Sequence, residues 1–122
     1  MTGYVPPGWP AAVLPPGSPD WEASATAYLL DCCPPDFRGY PVLRRHPMVL
    51  ARAARESVAG QQSAARSGLA GARSGLDGRV PPEVVQQAVE VWQTEQARLA
   101  RTARAVGLVA EALDGRVFVP RL

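Results

Sequence analysis

The chain has 122 residues, with 13 arginines against 11 acidic side chains, one histidine and two cysteines, and a formal net charge of +2. That length makes one domain, large enough to bury a working core without metal or disulfide staples, and the near-neutral balance singles out no class of partner. Lysine, isoleucine and asparagine are absent while alanine occurs 20 times. Such a bias is expected of a GC-rich bacterial genome, so arginine in place of lysine carries no functional meaning here. No basic stretch followed by an apolar core opens the chain, and no apolar run approaches ~18 residues. A cytoplasmic location without membrane contact is the default expectation.

Residues 1–17 hold five prolines and three glycines, which rules out regular helix. Tyr4, Val5, Trp9, Val13 and Leu14 are too apolar for a free linker. The composition therefore predicts an extended, partly polyproline-like arm lying on the rest of the protein. It favours that reading over a proline-rich ligand built on the Pro7–Pro10 spacing. Ser18-Pro19-Asp20 reads as a helix start, with a capping hydroxyl, proline at the first helical position and an acid near the positive dipole end. A short helix over about 18–33 follows, with Trp21, Ala25, Tyr28, Leu29 and Cys32 on one face, and Pro34-Pro35 stops it.

Cys32 and Cys33 are adjacent, a poor geometry for a mutual disulfide. The only histidine, His46, stands 13 residues further on. Without a cationic neighbour to lower their pKa, the thiols read as small buried hydrophobes. Residues 36–46 make a connector anchored by Phe37, Tyr40, Val42 and Leu43.

Pro47 opens a long helix over about 47–76 with a seam of small residues. Ala51, Val58, Ala65 and Ala72 recur at sevens, with Ala54, Gln61, Leu69 and Leu76 between them. Gly60, Ala64, Gly68 and Gly75 form a second small-residue track. Each glycine costs ~1 kcal/mol relative to alanine inside a helix, which makes sense where another backbone or a bulky side chain comes close. The repeated Ala-Arg-Ser-Gly-Leu at 65–69 and 72–76 lacks the preceding strand of a phosphate-cradling loop and keeps helical phase.

The second long helix, about 82–114, carries the clearest pattern in the chain. Val85, Trp92, Leu99, Val106 and Leu113 stand at strict intervals of seven, with Val89, Gln96, Ala103 and Ala110 between them. An apolar repeat of about 3.5 residues asks for a partner helix alongside. Leu-Asp-Gly-Arg-Val occurs at both 76–80 and 113–117, and reads as the same glycine C-cap ending both helices. Two long helices with a five-residue join fold back as a hairpin. The apolar tail, 117–122, is expected to dock on a neighbour.

Charge is segregated: residues 1–37 carry −4, 38–73 carry +6, 74–97 carry −3 and 98–122 carry +3. A hairpin turning near Arg79 brings Arg52 and Arg55 close to Arg101 and Arg104, with Arg44 and Arg45 beyond, at the end remote from the turn. Such a cluster can take nucleic-acid phosphate. It can equally meet the acids Asp20, Glu22, Asp31 and Asp36 of the same protein or of a second copy. Of the other acids, Glu83, Glu90, Glu95 and Glu111 read as a solvated face.

No metal-ligand spacing, paired carboxylates or nucleotide loop points to catalysis, and no cofactor or metal is expected. The expected architecture is all-α: a Pro/Gly-rich arm (1–17) ahead of one helical domain (18–122) built on a long antiparallel hairpin. Val84, Ala88, Val91 and Leu108–Val109 on the second long helix, with Met48, Val49 and Ala53 on the first, make a flank too large to leave in water. Two copies are therefore expected to pair as a four-helix bundle, with the arm at the interface. The expected role is a non-catalytic helical interaction or assembly module, with a second copy or another protein as its partner. The alternative is a nucleic-acid-associated protein using the arginine cluster.

Overall fold

A computed structural model describes residues 3–121. Met1, Thr2 and Leu122, at the outer ends of the proline-rich segment and the apolar tail, lie outside the described residues. The helices are α1 (Trp21–Asp31), α2 (Pro41–Arg45), α3 (Pro47–Leu76) and α4 (Pro82–Leu113), with a 3-10 turn at Pro35–Gly39 between the first two. No strand occurs among the described residues. Proline holds the first position of the 3-10 turn and of α2, α3 and α4. There its fixed φ suits the helix and its missing N–H leaves nothing unpaired.

α3 and α4 run 30 and 32 residues, each about 45–48 Å long, and pack together as the hairpin the heptads predict. Ala51, Val58, Ala65 and Ala72 of α3 are all buried, as are Val85, Leu99 and Val106 of α4. Trp92 and Leu113 are half-buried, and Gln61 is exposed.

The two Leu-Asp-Gly-Arg-Val copies do not share one structure. At the end of α4, Gly115 has φ 98, its N–H bonds Ala112 O at 3.0 Å, and Arg116 N–H bonds Glu111 O at 3.0 Å. That double bond is a Schellman cap. At the end of α3, Asp77 has already left the helix, with φ −58 and ψ 130. Gly78 follows at φ 73, and Arg79 N–H bonds Leu76 O at 2.9 Å, the pattern of a type II turn. The sequences diverge just afterwards: Pro81, with φ −58 and ψ 151, leads straight into Pro82 at the first position of α4, whereas Val117 leads into the tail.

Further departures from expectation lie ahead of the hairpin. The proline-rich segment is a succession of tight turns, closed by Trp9 N–H to Pro6 O, Val13 N–H to Pro10 O and Ser18 N–H to Pro15 O, each 3.1 Å. α1 begins at Trp21 rather than near residue 18, because Asp20 adopts φ 64, outside the helical region; no side chain caps the helix, and the Ser18 hydroxyl instead donates back to Pro15 O. It ends at Asp31, and the connector is folded into the 3-10 turn and α2.

The covering elements all gather at the end of the hairpin remote from its turn. α1 packs on α3 and α4, and α2 on α3. Trp9 and Trp21 cover Leu108, Ala112 and Phe118, with the Trp9 and Phe118 rings edge to face at 5.9 Å. The largest fully buried side chains, Leu29, Leu50, Val58, Val106 and Val109, lie in this covered half. Between Gly60 and Arg98 the buried set shrinks to Ala65, Ala72, Val85 and Val89.

Candidate interaction face

Beside the main seam, each long helix carries a second stripe facing the same side of the hairpin. On α3 it runs Ala53, Ser57, Gly60, Ala64, Gly68, Gly71 and Gly75; on α4 it runs Val84, Ala88, Val91, Glu95, Arg98, Thr102, Ala105 and Val109. Steps of three and four keep each set on one side of its helix. In the covered half α1 sits on this side: Ala105 and Val109 are buried, and the buried Cys33 thiol shares a hydrogen bond with Ser57. In the turn half the same stripes are bare at Gly60, Gly71, Gly75, Val84 and Val91 and half-covered at Gly68, Ala88 and Glu95. Val84 is 39 % exposed and Val91 59 %.

The glycines divide in the same way. A Cβ on Gly68 would stand 2.6 Å from Cδ2 of Trp92 and closer still to Cε2 and Cζ2. The missing side chain is therefore what lets the indole lie against α3. Gly60, Gly71 and Gly75 have nothing within 4 Å of a Cβ, so no contact inside the chain offsets the ~1 kcal/mol each costs its helix. Charge is scarce on this bare strip. Its one carboxylate, Glu95, is bound by Arg98 through two contacts of 2.9 Å, which hold it below the usual carboxylate range.

The flank expected from sequence is therefore only partly bare. Leu108 and Val109 are covered within the chain, whereas Val84, Val91, Met48 and Val49 remain exposed. In the tail Phe118 is buried while Val117 and Val119 are not.

The six arginines singled out in the sequence are distributed over three places. Arg104 turns to the proline-rich segment, its Nε and Nη2 donating to Pro7 O at 3.2 and 2.9 Å. Arg101 borders the same region, beside Gly8, Pro10 and Tyr28. Arg52 and Arg55 line a shallow groove of about 240 Å³ with Met48, Ala110, Glu111 and Asp114. Arg44 and Arg45 end α2, and Arg44 Nε donates to Arg38 O at 2.9 Å. Among the described residues none of the six is ion-paired. The acids of the first helix do not gather on them either: Asp31 binds Arg38, and the other ion pairs are Glu95–Arg98 and Glu111–Arg116.

Sequence reasoning missed that Arg66 and Arg73 share an edge of α3 with Arg52. The signal was present in the seven-residue spacing Arg52, Ala59, Arg66, Arg73, hidden by adding charge along segments instead of round the helix.

Both cysteines are free, Cys33 buried and Cys32 half-buried. Burial pushes both thiols above their ordinary range; the hydrogen bonds to Tyr28 and Ser57 oppose this only in part. Among the described residues no three His, Cys, Asp or Glu side chains are placed to hold a metal ion. Nor is any helix long and apolar enough to cross a membrane. The chain matches no protein-family model, no curated protein and no solved structure.

Proposed function

We propose that this protein is a non-catalytic helical interaction module, working in the cytoplasm of a GC-rich bacterium, that self-associates through the bare half of its hairpin. One observation carries the reading. Every covering element sits at the end remote from the turn, while the same side of the turn half presents valines and glycines without an intrachain partner. A two-fold interface needs a patch that fits itself. This strip offers a raised row, Val84 and Val91, beside a low one, Gly60, Gly71 and Gly75. Two hairpins brought together there form a four-helix bundle, with the proline-rich segments left on their own α4 helices.

The test is a variant with Val84→Glu and Val91→Glu, which puts two charges into the proposed interface and touches no intrachain core. Loss of association in sedimentation, with helix content by circular dichroism unchanged, is the expected result. An unchanged association constant contradicts the reading.

A further inference from the structure

We infer that the opposite edge of α3 is a docking edge for the phosphodiester backbone of a nucleic acid. α3 contains four arginines, Arg52, Arg55, Arg66 and Arg73, and a single acid, Glu56. Spacings of three, eleven and seven residues bring all four arginines to one side of the helix, and all are exposed. The row is about 32 Å long from Arg52 to Arg73.

Contacts fix which side this is. Arg55 Nη2 lies 3.5 Å from where a Cβ on Gly107 would be, and Arg73 Nη2 donates to Gln86 Oε1 at 2.9 Å. Both arginines thus lean over the α3–α4 seam. Ser57, which bonds Cys33 under α1, is two residues from Arg55 and so on the far side of α3. The arginine edge therefore faces away from α1 and from the bare strip, and it stays open whether or not two copies pair.

None of the four guanidinium groups is ion-paired among the described residues. Acids stand near both ends of the row without pairing to it: Glu56 is one turn on from Arg52 along α3, and Asp77 shares a groove with Arg73. Glu111 and Asp114 share the groove of Arg52 and Arg55, but Glu111 is already held by Arg116 at 2.6 Å. Glu90 accepts from Gln86 at 3.4 Å, one residue removed from Arg73.

A line of unpaired guanidinium groups on a straight rod suits a linear polyanion. Arginine's fork binds phosphate oxygens in pairs, and contacts confined to the backbone carry no sequence preference. An acidic protein surface is the competing occupant. Nucleic acid is favoured because the one large exposed apolar side chain on this edge, Met48, stands at the end of the row, whereas protein interfaces place their apolar anchors at the centre.

The experiment is fluorescence anisotropy of a labelled DNA duplex titrated with the full chain, repeated over a range of salt. Binding at about 50 mM salt is expected, with log K falling against log salt at a slope of about −3 to −4. Arg66→Gln with Arg73→Gln should make that slope shallower by about 2. Arg38→Gln, which removes a cation already bound to Asp31, should leave it unchanged. No binding to duplex DNA or single-stranded RNA at low salt would overturn the proposal. So would a slope that the double variant does not move, or polyglutamate bound as tightly as DNA at equal salt.

Discussion

The indole of Trp92 lies where the side chain of residue 68 would be, and residue 68 is glycine. Of the glycines in the turn half, Gly68 alone has its Cβ position occupied; Gly60, Gly71, Gly75 and Gly78 have nothing within 4 Å of theirs. The pairing lets the one bulky residue on that part of the α4 seam fit against α3 without separating the helices.

Adding a single methyl at this point should therefore be costly. Alanine is the better helix former by ~1 kcal/mol, yet Gly68→Ala should destabilise the fold by about 1–3 kcal/mol through overpacking. Trp92→Val should relieve that clash. In a double-mutant cycle followed by urea unfolding, the two substitutions should couple by about 1 kcal/mol or more. Additive effects would show that the indole does not rest on Gly68.

Arg104 ties the proline-rich segment to α4 through two bonds to Pro7 O. Arg104→Ala should cost about 1 kcal/mol. Its clearer signature should be faster amide exchange at the N–H groups of Trp9 and Val13, whose turns depend on the segment staying docked. Exchange unchanged at both would mean that the segment's other anchors, the Trp9–Phe118 contact, buried Val13 and the bond from Leu14 N–H to Ser24 Oγ, hold it without Arg104.

Cys32 and Cys33 should be inert in the native state. Burial raises both thiol pKa values, which keeps the reactive thiolate scarce, so alkylation should be slow until denaturant is added. The same shift has a consequence for stability. The unfolded chain loses these protons at lower pH than the folded one, so stability should be unaffected well below the ordinary thiol value of 9.0 and should decline as pH rises past it. Rapid stoichiometric labelling near neutral pH would contradict this.

Much of the fold was legible because one period governs it. Seven-residue spacing identified both seams, and the same count of small residues located the room that Trp92 uses. The lines misread were those where local patterns compete with tertiary partners. Ser18 has the form of a helix cap, but the left-handed Asp20 delays the helix to Trp21, out of reach of that role, and the hydroxyl donates back to Pro15 O. Leu-Asp-Gly-Arg-Val at 76–80 and 113–117 supports either a cap or a turn, and the prolines after the first copy decide between them. The arginine cluster follows from hairpin register, which gives height along the rod, whereas the side chains at that height turn to different sides: Arg104 to Pro7, Arg55 to Gly107. Spacing shows which residues share a helix face, but which of two faces another segment will cover is set by contacts between distant parts of the chain.

We propose that a second copy covers the bare half of the hairpin. Light scattering of the unmodified protein, taken from about 1 to 100 μM, a range chosen to bracket a micromolar Kd, tests it most directly. A mass rising to twice the 13.0 kDa of one chain is the predicted result; a mass of 13.0 kDa at every concentration would contradict it.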